Sequence, residues 1–275
     1  MIHFEYNNLS TADKNLLIVD FEEKDNLESG LNREILKSET NSARFNSNYL
    51  GTKYTNVITF TKSLVKADES AFTRDEISSI AGWLTSPKYP RTLKVTDDDN
   101  HIIYYEGLFT SLQYKTAGIG VIGITFTFTN NSPFCYIEET DSYELTQNGS
   151  IEFLCHSDCY EDYSYPAVSL KYNGTENDYA RITFKNEQIT NINHSVSYKC
   201  LSHLEYRVDN EKRMLKSAIS DDIGYEEIGW SADSDVGWLR LINGKNIFDI
   251  TSTAYPVTIT ITNKSPKKLG ELYDY

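Results

Sequence analysis

No apolar run in this 275-residue chain is long enough to cross a bilayer, and the opening MIHFEYNNLS lacks the charged and then apolar regions of a secretion signal. The expectation is a chain made and kept in solution. Basic residues are in short supply: 26 Lys and Arg stand against 40 Asp and Glu, a formal charge of -14. Duplex nucleic acid is therefore excluded as a direct ligand, because such binding rests on neutralising phosphates with a basic footprint. Cysteine is scarce too. Four residues, Cys135, Cys155, Cys159 and Cys200, are too few to staple a chain of this length, and they are predicted to be thiols. Without secretion, the N-x-S/T matches at Asn148 and Asn173 carry no meaning as glycosylation sites.

Catalytic and cofactor motifs are missing as well. Gly118, Gly120 and Gly123 precede a strand rather than open a helix, so they form no phosphate cradle. There is no G-x-S-x-G elbow, and His3, His101, His156, His194 and His203 sit in no catalytic motif. CHSDC (Cys155, His156, Asp158, Cys159) offers one cysteine pair without a second at zinc-finger spacing; it reads as structural thiols beside an exposed loop. The DDDN turn lacks the glycine and the bidentate glutamate of a calcium loop. No catalytic residue, metal ligand or cofactor is expected. The acidic stretches Asp97 to Asp99 and Glu138 to Glu144 read as solvated surface loops.

What is present is aromatic and β-branched: twenty Tyr and twelve Phe, with many Thr, Ile and Val, favour half-buried strands. The length suits two domains, each with its own core. One helix interrupts the strands, in FTRDEISSIAGWLTSPKYP from Phe72 to Pro90. Thr73 and Glu76 form a capping box, and Phe72 can staple to Ile77. Ile77, Ile80, Ala81 and Leu84 make one apolar stripe, and Pro87 and Pro90 stop the helix. Trp83 lies off that stripe, where a core-edge role outweighs a binding role.

Before the helix, MIHFEY and NLLIVDF read as strands around a polar turn, an irregular charged segment runs to about Tyr49, and VITFTKSLV reads as a half-buried or edge strand. After it, RTLKV and HIIYYEGLF form a hairpin across DDDN. In VIGITFTFTN, Ile122, Ile124, Phe126 and Phe128 share one buried face, and NNSPF ends the strand at Pro133. The domain boundary is placed there, giving domains over 1–137 and 138–275. The second domain shows sandwich spacing in SIEFLC, PAVSLKY, ARITFKN, SVSYKCLSHLEYRV, GWLRLI, KNIFDIT and YPVTITIT, with turns at Asn173-Gly174 and Asn243-Gly244. The fold class is mainly β: an antiparallel β domain with one packed helix, then a β-sandwich. Repeating βαβ units are absent.

The order HFEYNNLSTADKNLLIVD, NSNYLGTKYTNVITFTKSLV, TRDEISSIAGWLTSP, YYEGLF and GITFTFTNNSPF resembles the N-terminal domain of the distal tail protein (Dit) family of non-contractile-tailed phages of Gram-positive bacteria. YPAVSLKYNGTENDYARITFKN and WLRLINGKNIFDITSTAYPVTITIT resemble the family's galectin-like C-terminal sandwich; RVDNEKRMLKSAISDDIGYEEIGWS departs from it. The resemblance implies a structural virion protein without catalysis, a hexameric ring made by the N-terminal domains. Its partners would be further copies of itself, the tail tube protein, a tail-associated fibre or lysin, and peripheral receptor-binding proteins. It would be assembled in the host cytoplasm and reside in the virion at the tail tip, without membrane contact. DNA would pass through the lumen without being bound, and an acidic bore would repel rather than retain it. Arg74, Asp75 and Trp83 are the candidate subunit contacts. The competing reading is a carbohydrate-binding sandwich recognising host cell-wall glycans, with Tyr225, Trp230 and Trp238 stacking on sugars. A polysaccharide-cleaving enzyme ranks last, since no carboxylate pair can be selected from the sequence.

Overall fold

Alternating aromatic and threonine residues set most of the secondary structure, since each such segment gives a strand with one apolar face. The computed structural model describes residues 2–19, 31–37, 49–97, 99–118, 120–189, 195–202, 204–217 and 238–268. It is mainly antiparallel β with one helix among the described residues. Contacts divide it into two units, the first ending at Ile137 and the second spanning Glu138–Pro266. Lys267 and Lys268 group with the first unit, so the domain expected over 138–275 gives them up. The Cys135 thiol lies 3.5 Å from the Lys267 carbonyl oxygen, which ties this segment back to the start of the chain.

In the first unit the strands are β1 (His3–Tyr6), β2 (Leu9–Ser10), β3 (Leu16–Val19), β4 (Arg33–Lys37), β5 (Tyr49–Tyr54) and β6 (Thr59–Lys66). Helix α1 (Arg74–Thr85) follows, then β7 (Arg91–Thr96), β8 (Ile102–Ala117), β9 (Gly120–Asn130) and the start of β10 (Cys135–Leu145). Pairing runs β2-β1-β7-β8-β9-β6-β3, all antiparallel. Strand β8 changes partner along its length: Ile102 to Gly107 face β7, and Gly107 to Ala117 face β9. At the exchange point Gly107 is required. A Cβ there would stand 2.1 Å from the Thr129 carbonyl oxygen. Phe4, Tyr6, Phe60, Tyr105, Phe109, Phe126 and Phe128 fill the core, with neighbouring rings meeting mostly edge to face.

The second unit adds β11 (Gly149–Cys155), β12 (Ala167–Tyr172), β13 (Tyr179–Asn186), β14 (Ser195–Leu201), β15 (Glu205–Asp209), β16 (Met214–Ser217), β17 (Gly244–Ser252) and β18 (Val257–Lys267). One sheet runs β11-β17-β13-β14, and the other contains β16-β15-β12-β18-β10. The inward residues of both, among them Phe153, Leu170, Phe184, Phe248 and Ile259, form one core, as in a sandwich.

Several expectations change. Strand β4 lies inside the segment read as irregular, because its five exposed residues give no alternation of burial to recognise. VITFTKSLV is not an edge strand: β6 lies between β3 and β9, with Phe60 and Leu64 buried and Lys62 and Ser63 buried as well. The acidic stretch Glu138 to Glu144 belongs to strand β10, with Tyr143 and Leu145 packing on the core. SVSYKCLSHLEYRV breaks into β14 and β15, which belong to opposite sheets. The Asn173-Gly174 turn likewise joins opposite sheets instead of closing a hairpin, and Gly174 lets the Tyr172 ring approach to 2.4 Å of where a Cβ would be. GWLRLI is no regular strand; its described part contributes only an isolated bridge at Leu241, and both Trp238 and Leu239 pack on the core.

Candidate functional site

The helix is fixed at both ends. Thr73 Oγ1 accepts from Glu76 N at 3.3 Å, and Glu76 Oε2 accepts from Thr73 N at 2.7 Å. Lys66 Nζ donates to Glu76 Oε1 at 3.0 Å, linking β6 to the helix start. The Thr73 backbone bond and then the Lys66 bond hold the Glu76 carboxyl below its ordinary value. Phe72 N donates to Val121 O at 2.8 Å, so the chain entering the helix is pinned to β9. Phe72 is buried and Ile77 packs on the same core. Helix-terminating Pro87 and Pro90 follow the C-cap Ser86.

Trp83 does not face outward. It is 6% exposed, stacks on Phe4 at 5.5 Å between centroids, and donates from Nε1 to the Tyr6 carbonyl at 2.7 Å. The assignment of Trp83 to a subunit contact therefore gives way to a role in its own core: the helix buries a wider arc than the stripe of Ile77, Ile80, Ala81 and Leu84. Arg74 and Asp75, in the first turn, are exposed. Beside them opens a cleft of about 330 Å³ lined by Lys14, Leu16, Lys66, Phe72, Asp75 and Ile80 among others.

A second exposed surface is one that sequence reasoning missed. Strands β4 and β5 form a two-stranded sheet that pairs with no other strand among the described residues. Ile35 is 56% exposed, Tyr49 65% and Leu50 67%, and Leu36 is exposed as well. Thr55 N donates to Asn32 O at 3.0 Å, extending the hairpin's own ladder, and Tyr54 meets Phe134 edge to face at 4.9 Å, which ties its base to the fold. A lone hairpin is at best marginally stable in water, and contiguous exposed apolar residues mark interaction sites. The available signal was REILK, an apolar pair inside a charged stretch.

In the second unit the CHSDC residues serve different ends. Cys155 is buried, with Sγ 3.4 Å from Asn263 Nδ2, while His156 is exposed and pairs with Glu139. Cys200 lies deep in the sandwich, where burial pushes its thiol up to about 12. No group of metal-ligating side chains forms among the described residues. Asp97 accepts from Asp99 N at 2.9 Å and His101 N at 2.8 Å, so the DDDN carboxylate shapes its hairpin turn. Of the candidate glycan contacts, Trp238 packs against the sandwich core, and Tyr225 and Trp230 lie outside the described residues.

A family model described as a phage tail protein N-terminal domain matches residues 1–132. Over those residues the chain is similar to the N-terminal domain of phage tail proteins. The whole chain has the fold of a distal tail protein. It is similar to the crystal structure of the phage SPP1 Dit protein, described as a paradigm of the hub adsorption apparatus in phages infecting Gram-positive bacteria. That match has a TM-score of 0.61 at 13% identity and covers 96% of this chain and 99% of that one. A chain of the phage P2 baseplate, in its activated conformation with calcium, gives a TM-score of 0.54 at 12% identity over 96% of this chain and 98% of that chain. The same baseplate with strontium gives 0.54 at 12%, over 96% and 99%. No curated protein matches this chain by sequence.

Proposed function

We propose that this protein is a phage distal tail hub, a non-enzymatic virion protein that closes into a homo-hexameric ring through its N-terminal domains. The ring joins the tail tube to the tail-tip fibre or lysin and to receptor-binding proteins, and it is assembled in the host cytoplasm. The observation that carries this reading is the likeness to a hub protein over nearly the full length of both chains, with a phage tail domain over residues 1–132. The β4–β5 hairpin suits a ring contact: exposed apolar side chains on a sheet that pairs with no other strand among the described residues, its base tied to Phe134. A ring closes through heterologous contacts, one patch meeting a different patch on the next subunit. The exposed Arg74 and Asp75 beside the helix cleft are available for the second patch.

Sedimentation velocity tests the hairpin's part. Wild type is expected to sediment as a hexamer, and the double variant Ile35→Asp, Leu50→Asp as a monomer with unchanged circular dichroism. A variant that still forms hexamers would remove the hairpin from the interface.

A further inference from the structure

The first unit carries a basic pocket on an otherwise acidic chain. Between the β1–β2 turn and the start of β7 lies a cavity of about 320 Å³, lined by Glu5, Asn7, Asn8, Arg91, Lys94 and Tyr104 among others. Asn7 and Asn8 make the two-residue turn, with φ of 48° and 64°. Cross-strand pairing sets Glu5 opposite Lys94 and Lys94 opposite Tyr104, so these three share one face of the sheet. The Tyr104 ring stacks on Tyr136 with 5.4 Å between centroids and 11° between planes, which fixes that wall.

The cations here outnumber their acceptors. Arg91 is exposed, and its side chain makes no hydrogen bond or ion pair among the described residues. Lys94 Nζ stands 3.9 Å from Glu5 Oε2, near the outer limit of an ion pair. A guanidinium fork open to a pocket suits a carboxylate, which it holds by two parallel hydrogen bonds. The sequence past Lys268 supplies that chemistry: residues 269–275 read LGELYDY, with two carboxylates, two tyrosines and no cation. They begin within reach. Lys267 and Lys268 group with the first unit, and Cys135 Sγ lies 3.5 Å from the Lys267 carbonyl oxygen. The strand order β18-β10-β8-β7 sets Lys267 three strand spacings from β7, about 15 Å, whereas seven extended residues reach about 23 Å. Strands β18 and β8 both run antiparallel to β10, so β18 heads towards the level of Gly107 and of Arg91 opposite it.

We propose that this pocket is the docking site of residues 269–275, with the carboxylates of Glu271 and Asp274 on Arg91 and Lys94 and a tyrosine ring against Tyr104. The segment is tethered to the fold it binds, so its effective concentration at the pocket is high and a contact that is modest between separate molecules suffices. Docking neutralises the basic patch and covers the Tyr104 wall. It does not depend on ring formation.

Fluorescence anisotropy of a labelled LGELYDY peptide titrated with the full chain tests this. In the double variant Glu271→Gln, Asp274→Asn the chain's own segment loses its hold, and the peptide should bind about ten-fold or more tighter than to wild type, whose pocket is already filled. Adding Arg91→Gln to that variant should weaken binding about ten-fold or more, the loss expected with a hydrogen bond to a charged group. Lys185→Gln, at an exposed lysine of the second unit, should leave it unchanged. The uncharged peptide LGQLYNY should bind about ten-fold or more weakly than LGELYDY, and circular dichroism guards against misfolding. Equal affinity of wild type and the double variant, binding indifferent to Arg91→Gln, equal binding of the two peptides, or no binding at all would each overturn the proposal. So would poly(glycerol phosphate) binding to the double variant where the peptide does not, which would assign the pocket to a polymeric anion.

Discussion

Thr73 and Glu76 show how single residues set this protein's local structure. Each satisfies a backbone donor of the other at the helix start, and Lys66 adds a charge-assisted bond from β6. Thr73→Ala is expected to cost about 1 kcal/mol, the usual penalty for losing an N-cap, measured by denaturant unfolding. Glu76 gives the pH dependence its sign. Its carboxyl is held below the ordinary value of 4.5, so its stabilising effect is complete above that value and is lost as pH falls through the folded one. The gap in Tm between wild type and Glu76→Gln should therefore be present at pH 7 and shrink in acid; a gap that grows with falling pH would refute this. The capping box was legible in the sequence because it is a local code. The role of Trp83 was not, since its partners Phe4 and Tyr6 lie far away along the chain.

Among the elements, strand β8 determines the most. By passing from β7 to β9 at Gly107 it carries the pairing around the core. Gly107→Ala should destabilise the fold by about 1–3 kcal/mol or more, because the new methyl meets backbone rather than a yielding side chain. A shift of the unfolding midpoint by less than the measurement error would show that the crossing can relax. Strand β9 was readable from its strict alternation of apolar and threonine residues, and the β7–β8 hairpin from its turn. Strand β4 and the division of β14 from β15 were not. In β4 both faces are exposed, so no alternation reports a core. Between β14 and β15 the alternation persists through both strands, and only the tertiary fold decides that the chain changes sheets.

For the whole molecule, the charge of -14 and the exposed hairpin fit the proposed assembly. In the proposed ring, negative charge lining the bore would let nucleic acid slide past without being held, and the apolar hairpin residues would find cover on a neighbour. The central claim is ring closure. Negative-stain electron microscopy of the purified full chain, with symmetry read from class averages, tests it most directly. The account predicts closed rings of six subunits with an open centre, and monomers at every concentration would contradict it.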